Sequence, residues 1–280
     1  GAATVLDTQR EPGGSRVHFV EIDEGGLDTN TVVSAHVDAS RRRSTQRNHT
    51  ATHLLHLALR HVLGDSVRQA GSLVAPDRLR FDFTFHRQVT QEELHRIEDL
   101  VNHWILLAEP TLITENRSHE EAVKAGAMAL FGEKYGDRVR TVEVSHLDTG
   151  GPESEQLTSL ELCGGCHVAN TGEIGSILIT AERGVASGVR RIEALTGEGA
   201  QHLVRHQRDL LERISDSLGV DADSAPAEID DWRQRARALE KELANLRMQL
   251  VSGVDESTEI EVGGVGVIAR EVPAAPVNEI

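Results

Sequence analysis

Hydrophobic and polar residues alternate with a period of two over much of the first forty residues. Residues 16–22 and 31–37 both follow this period, and a glycine-containing turn segment lies before each of them. A period of two places successive side chains on opposite faces of a β-strand. Because two or three strands are only marginally stable as a separate sheet, residues 1–40 are interpreted as part of a small β-barrel.

The pattern changes to a helical period over residues 41–63, and Gly64 ends the predicted helix. The apolar positions that share one stripe of this helix are Ala51, Leu54, Leu55, Ala58, Leu59 and Val62. His49, His53 and His56 lie on nearly the opposite side. Residues four apart lie about one turn above each other, so His49 and His53 can converge on one point. The helix is predicted to bury one face and to present imidazoles from the other.

Strands and helices then follow one another along the chain. Further strands are predicted at 78–85, 139–144, 175–180 and 188–194, and a helix at 119–130. A capping box from Thr90 to Glu93 opens another helix. This order indicates an α+β fold with helices on one face of a mainly antiparallel sheet. Because aromatic residues make up only 3% of the chain, we expect an aliphatic core.

The composition changes after residue 197, and residues 198–252 are predicted to form two helices. One helix is predicted at 198–218, and a second begins near Pro226 after a break. Its apolar residues are spaced three and four apart: Ile229, Trp232, Ala236, Leu239, Leu243, Leu246 and Leu250. Such a seam packs helices together, so we expect a helical hairpin or coiled coil, or a homodimer contact. Residues 253–280, with a strand pair at 259–269, are interpreted as the truncated start of a further domain.

Charge and hydropathy exclude several classes of protein. The formal net charge of −16 argues against a uniformly basic nucleic-acid binder but leaves room for a local basic groove. Arg41–Arg43 with Arg47, and Arg190 with Arg191, form basic clusters, although such clusters are ordinarily solvated faces. The sequence has no run of eighteen apolar residues and no secretory leader pattern. We therefore expect no membrane partner and a cytoplasmic location.

The two cysteines, Cys163 and Cys166, are three positions apart, and His167 follows the second directly. In a reducing compartment such a pair is metal-binding, redox-active or inert. Thiolate and neutral imidazole are preferred zinc ligands, and the helical pair His49 and His53 adds two imidazoles. The intervening glycines let the loop bend round an ion. One zinc ion is therefore predicted, but the spacing leaves open which of these five residues bind it.

Six segments of the chain resemble a known family. They are RNHTATHLLH at 47–56, QAGSLV at 69–74, PDRLRFDF at 76–83, GAMALFGEKYG at 126–136, ELCGG at 161–165 and GVRRIEA at 188–194. In composition, order and spacing they resemble the editing domain of alanyl-tRNA synthetases, over residues 1 to about 252. The resemblance implies that 41–197 is a zinc-dependent editing domain. It also implies a larger ligase, with a barrel that begins upstream and an ATP-dependent catalytic domain that attaches alanine to tRNA(Ala).

The resemblance further implies a reaction and its residues. Such domains hydrolyse the ester that joins serine or glycine wrongly to tRNA(Ala), so the acceptor end of that tRNA is the expected partner. The implied zinc ligands are His49, His53, Cys163 and His167, and the family has threonine where this chain has Cys166. The other implied site residues are Gln69, Ser72, Arg80 and Asp82 at the catalytic site, with Arg47, Arg190 and Arg191 as tRNA contacts.

Three interpretations of function remain open from the sequence. The first is an editing module of a larger ligase. The second is a free-standing trans-editing deacylase, against which the heptad helix and the half-barrel argue. The third is a zinc-stabilised RNA-binding or oligomerisation module without catalysis. Hydrolysis of Ser-tRNA compared with Ala-tRNA separates the first two interpretations from the third.

Overall fold

A computed structural model describes residues 1–11, 14–128, 135–151, 154–253 and 258–269. The strands are β1 Ala2–Arg10, β2 Arg16–Glu24, β3 Gln69–Val74, β4 Leu79–Thr84, β5 Thr111–Ser118, β6 Arg138–Asp148, β7 Gln156–Leu162, β8 Ile177–Ala186, β9 Val189–Thr196, β10 Thr258–Val262 and β11 Val265–Ala269. The helices are α1 Ala39–Leu63, α2 Gln91–Leu107, α3 His119–Lys124, α4 Gly197–Leu218 and α5 Ala225–Gly253, with a 3₁₀ turn at Thr171–Ile174.

Two antiparallel sheets form the middle of the chain. One has the strand order β3-β4-β9-β8 and the other has the order β5-β6-β7. The pairs β1-β2 and β10-β11 form separate two-stranded ribbons. The α+β class and the antiparallel pairing are therefore confirmed. Within the described residues neither ribbon closes into a barrel, so the assignment of residues 1–40 to a barrel stays a prediction.

The four-stranded sheet is apolar on one face and charged on the other. Along β4, Leu79, Phe81 and Phe83 are fully buried, whereas Arg80 and Asp82 between them are partly exposed. Because successive strand side chains point to opposite faces, the charged residues lie on the face away from the core. Helices α1 and α2 pack together and cover the apolar face.

Helix α1 is buried on both of its faces rather than on one. Asp38 caps its first turn by accepting a hydrogen bond from the Arg41 backbone N–H at 3.0 Å, so the helix begins two residues earlier than expected. Its apolar stripe lies in the core, as the pattern predicts. The histidine side is also covered, since His53 and His56 are almost completely buried. The loop that follows β7 packs against that side.

The core is not purely aliphatic, which corrects the expectation from composition. Trp104, Phe81 and Phe83 are among its largest fully buried side chains, and Phe85 lies at its edge. The Trp104 indole N–H donates to the Asp148 carbonyl at 2.7 Å, so its polar atom is satisfied. Few aromatic residues are present, but four of them, Phe81, Phe83, Phe85 and Trp104, are buried in this core.

Two predicted elements are wrong in part. Residues 31–37 form no strand, and Val32, Val33 and Val37 are exposed, because no neighbouring strand offers them backbone partners in the part of the chain described. The helix predicted at 119–130 ends at Lys124, and Ala125–Gly126 turn the chain away. Residues 129–130 of that prediction, and residues 129–134 of the motif at 126–136, lie outside the described residues.

The helices predicted at the C-terminal side are confirmed as α4 and α5. Gly219 ends α4 with a left-handed φ of 70°, which glycine adopts without strain. The apolar seam of α5 is largely uncovered, since Trp232, Leu239 and Leu243 are about half exposed or more. The homodimer contact therefore stays a prediction. Each helix in the described ranges is too short or too polar to cross a lipid bilayer.

The capping box of α2 gives a test of local stability. Thr90 Oγ1 accepts from the Glu93 backbone N–H at 3.2 Å, and the Glu93 carboxylate accepts from the Thr90 backbone N–H at 2.9 Å. We expect Thr90→Ala to lower the free energy of unfolding by about 1 kcal/mol in urea titration. Thr90→Ser keeps the oxygen and should stay near wild type. Equal stability of the alanine variant and wild type would contradict the assigned role of the cap.

Candidate metal centre

Four of the five predicted metal-binding side chains lie together. His49 and His53 come from α1, and Cys163 and His167 come from the loop after β7; their nearest donor atoms all lie within 4.8 Å of one another. Cys163 Sγ is 3.4 Å from His49 Nε2 and 3.3 Å from His167 Nε2. Tetrahedral zinc with a Zn–S bond of about 2.3 Å and a Zn–N bond of about 2.0 Å would place such atoms roughly 3.5 Å apart. The group can therefore hold a metal ion.

The fifth candidate, Cys166, is not a member of this group. Its half-buried side chain lines a neighbouring cleft of about 450 Å³. The cleft is lined by Arg42, Gln46, Ile113, Glu115, Arg140, Gly164, Gly165, Cys166 and His167. The segment from Cys163 to His167, called the ligand loop below, thus has one side towards His49 and His53 and another towards the cleft.

The ligand loop is held by hydrogen bonds to its backbone. Arg140 Nη1 donates to the carbonyls of Cys163 and Gly165 at 2.7 and 2.9 Å, and Gln46 Nε2 donates to the His167 carbonyl at 2.8 Å. Thr50 Oγ1 lies 3.1 Å from His167 Nδ1 and accepts from the Val168 backbone N–H at 3.2 Å. These contacts hold the loop through atoms other than Cys163 Sγ and His167 Nε2, the two atoms that lie against the other members of the group.

Gly165 lies directly against the ring of His49. A Cβ atom at this position would stand 2.0 Å from His49 Cε1 and 2.4 Å from His49 Nδ1. Real Cβ contacts are never so short, so a larger residue would have to displace the imidazole or the loop. Gly164 next to it has open space where its Cβ would be. The close approach of loop to helix therefore requires glycine at only one of these two positions.

Glu161 on β7 lies between two histidines of α1. His56 Nδ1 is hydrogen-bonded to Glu161 Oε1 at 3.0 Å. His53 Nδ1 is also 3.0 Å from Glu161 Oε2, a close ion-pair contact that is not directed as a hydrogen bond. Sequence reasoning did not predict a role for Glu161. A signal was present, since this carboxylate stands between Leu160 and Leu162 and only two residues before Cys163.

Burial and the neighbouring charges shift several pKa values at the centre. Burial opposes ionisation of the Cys163 thiol, but its contacts with His167, His49 and His53 outweigh burial and lower its pKa to about 3. Burial likewise opposes the charged forms of His53 and Glu161. Their mutual attraction nevertheless raises the pKa of His53 to about 10 and lowers that of Glu161 well below its usual range. The thiol is therefore a thiolate at neutral pH, the form that binds metals.

The predicted catalytic residues separate onto two faces of the four-stranded sheet. Gln69 Nε2 donates to Ser72 Oγ at 3.0 Å, and the strand register pairs Ser72 with Phe81 on the face that α1 covers. Asp82 lies on the opposite face, where Arg191 binds its two carboxylate oxygens at 2.7 Å each. Arg80 is 3.7 Å from the same carboxylate. Among the described residues, neither a hydrogen bond nor an ion pair joins these four residues to the metal group.

The predicted tRNA contacts are also engaged within the chain. Arg190 makes two hydrogen bonds to the buried carboxylate of Glu182, at 2.5 and 2.6 Å. Arg47 Nε donates to the Glu173 carbonyl at 2.9 Å. The positive charges of Arg190 and Arg191 are therefore neutralised by carboxylates. The hydrogen bond of Arg47 goes to an uncharged carbonyl, so it does not neutralise the charge of that guanidinium.

Comparison with known proteins first gives the class of the domain. Residues 139–193, which run from β6 through the ligand loop to β9, match the family described as threonyl and alanyl tRNA synthetase second additional domain. The matched region holds Glu161, Cys163 and His167. Cys163 and His167 thus lie in the region that matches this family, whereas His49 and His53 precede it in the chain.

Longer relatives then give the particular family. The chain is 50% identical over 232 residues to the alanine–tRNA ligase of Thermotoga maritima, covering 83% of this chain and 26% of that protein. It is 43% identical over 284 residues to the alanine–tRNA ligase of Listeria welshimeri, and the match covers 100% of this chain and 31% of that protein. It is 42% identical over 284 residues to the alanine–tRNA ligase of Nitrobacter winogradskyi, and the match covers 99% of this chain and 32% of that protein. The chain belongs to the alanine–tRNA ligase family and spans about a third or less of the length of these relatives.

The contrast between the two loop glycines gives a test of the metal centre. We expect Gly165→Ala to lower zinc affinity by about tenfold or more, because its Cβ would displace the His49 ring. Gly164→Ala should bind zinc like wild type, since its Cβ meets nothing. Zinc affinity would be measured by competition with a chromophoric chelator and folding by circular dichroism. Equal affinities for both folded variants would show that the His49 position does not matter for metal binding.

Proposed function

We propose that this chain is an editing module that hydrolyses Ser-tRNA(Ala) and Gly-tRNA(Ala), with one zinc ion held by His49, His53, Cys163 and His167. The observation that carries the proposal is the gathering of three imidazoles and one thiolate from two separate parts of the fold, beside an open cleft, in a chain of the alanine–tRNA ligase family. The module would correspond to residues 41–197. The whole ligase would attach alanine to tRNA(Ala) with ATP.

The donor chemistry fits zinc. Zinc favours nitrogen and sulfur ligands in a tetrahedron, and the sulfur–nitrogen distances of 3.3 and 3.4 Å agree with that geometry. When bound, zinc would supply a Lewis acid that polarises or orients the aminoacyl group. The chain's own part is to keep Cys163 ionised and to hold the loop rigid through Arg140 and Gln46.

Polar donors on the α1 side of the sheet would complete the reaction. The Gln69 amide and the Ser72 hydroxyl lie at the exposed edge strand β3, where an incoming ester could reach them. Preorganised donors of this kind stabilise the oxyanion that develops during ester hydrolysis. A site that hydrogen-bonds the serine hydroxyl would discriminate against alanine, since the same polar groups would then lose their partner. Arg80 and Asp82 would support the sheet behind these donors.

The tRNA acceptor end would approach through the cleft beside the ligand loop. Arg42 lines this cleft and lies in the exposed cluster Arg41–Arg43 at the start of α1. Phosphate contacts from such arginines would offset the unfavourable net charge of −16. Arg47, Arg190 and Arg191 stay proposed contacts, although intramolecular partners reduce the charge that the last two can offer.

A dimer contact and a cellular location are also proposed. The half-exposed apolar seam of α5 would form a homodimer contact, because burying it would remove leucine and tryptophan side chains from water. A cytoplasmic location would follow from a role in protein synthesis. The match with the longer ligases includes α4 and α5, which favours a ligase module over a free-standing deacylase.

Substrate discrimination tests the proposed activity. The purified zinc-loaded chain should hydrolyse Ser-tRNA(Ala) at least about tenfold faster than Ala-tRNA(Ala). Removal of zinc with a chelator should abolish this hydrolysis, and added zinc should restore it. Release of radiolabelled amino acid measures both rates. Zinc-loaded, folded protein that left Ser-tRNA(Ala) intact, or hydrolysed both substrates equally, would refute the proposal.

Three substitutions in the loop test the ligand set. Cys166→Thr should keep near-normal zinc content, because Cys166 stands outside the four-donor group. His167→Ala should weaken zinc binding, and Cys163→Ala should weaken it more, since an anionic ligand is lost. Metal analysis of the purified variants by mass spectrometry shows whether Cys166 or His167 is the fourth ligand. Loss of zinc from Cys166→Thr with retention in His167→Ala would assign the fourth ligand to Cys166.

A further inference from the structure

We propose that His56 is a positioning residue of the metal centre, which acts on the ligand His53 through the carboxylate of Glu161. The proposal rests on the metal site proposed above and goes beyond it, because His56 is outside the four-donor group. His56 lies three residues after His53 on α1, and the carboxylate of Glu161 contacts the rings of both.

The carboxylate of Glu161 divides its two oxygens between the two rings. Oε1 accepts from His56 Nδ1 and Oε2 faces His53 Nδ1, both at 3.0 Å. An ionised carboxylate only accepts hydrogen bonds, so His56 donates from Nδ1. Because Glu161 occupies the Nδ1 side of the His53 ring, Nε2 is the nitrogen of His53 that is left to bind a metal. Orientation of a ligand histidine by a carboxylate is a recurring feature of metal centres.

A histidine at position 56 lowers the stability of the fold if its only role is to fill space. Its side chain is almost completely buried, and its ring lies 5.3 Å from that of Phe81. The other ring nitrogen, Nε2, has no hydrogen-bond partner in the described structure. A buried polar atom without a partner is unfavourable, and a leucine would fill this space without one. The hydrogen bond from Nδ1 to Glu161 is the property that only a polar ring supplies here.

Loss of the His56 donor would leave Glu161 Oε1 buried and without that partner. The carboxylate would then turn to recover a hydrogen bond, and its other oxygen would no longer hold the His53 ring in place. Loss of such an outer contact typically weakens metal binding by about tenfold to a hundredfold. The expected effect is therefore on zinc affinity, with no change in the identity of the four ligands.

Two substitutions separate the hydrogen bond from the packing of the ring. His56→Phe keeps an aromatic ring beside Phe81 but removes the donor, whereas His56→Asn keeps an N–H near the position of Nδ1 but removes the ring. We expect His56→Phe to weaken zinc binding about tenfold or more and His56→Asn by less than about threefold. His61→Ala, at an exposed histidine of the same helix, is the matched control. Chelator competition on the full chain gives each dissociation constant, and the visible spectrum of the Co²⁺ form reports the ligand geometry.

A double-mutant cycle tests whether His56 acts through Glu161. In the Glu161→Gln background, His56→Phe should weaken zinc binding much less than it does in the wild-type chain. Normal affinity in folded His56→Phe, or equal losses in both backgrounds, would overturn the proposal, as would a larger loss in His56→Asn than in His56→Phe. Zinc affinity is measured without tRNA, so an inactive chain that shows the predicted pattern would refute the editing function and leave this inference standing.

Discussion

Burial of α1 on both faces determines where the two helical histidines of the candidate metal centre lie and what the loop after β7 packs against. Leu54, Leu55 and Leu59 pack into the core, while His49 and His53 meet the loop from β7 on the other side. A helix has a fixed rise and rotation per residue, so the free energy gained in the core also sets the positions of both imidazoles. Packing of α1 in the core thus places both imidazoles beside the loop that carries Cys163 and His167.

The charges of the centre are matched locally, which explains why such a polar group can be buried. The Cys163 thiolate and the Glu161 carboxylate face the imidazoles of His49, His53, His56 and His167. Isolated buried charges are strongly unfavourable, and removing one member of a buried pair leaves the other unmatched. Substitution at one of these positions should therefore disturb its neighbours, and effects of nearby substitutions should not be additive.

The sequence predicted those parts of the fold that local patterns control. The α1 stripe, the capping box at Thr90 and the stop at Gly64 depend on residues within a few positions, and the structure confirms them. The strand predicted at 31–37 is absent because a strand also needs a neighbour, which alternation cannot reveal. Glu161 was missed for a related reason, since its partners are more than a hundred residues away. The four side chains that the structure brings together were all among the five candidates, but spacing could not separate Cys166 from His167.

A chain of contacts relates the metal centre to the proposed polar donors. Glu161 links His53 to His56, the His56 ring packs against Phe81, and the backbone of Phe81 pairs with Ser72. All of these residues lie on the α1 side of the sheet. Asp82 and Arg191 lie on the opposite side of the sheet, where they form an ion pair with each other. The sheet separates the two faces, so Ser72 and the metal group lie on one side of it and the arginine ion pairs lie on the other. We therefore expect the chemistry on the α1 side and a supporting role for the ion pairs that join β4 to β9.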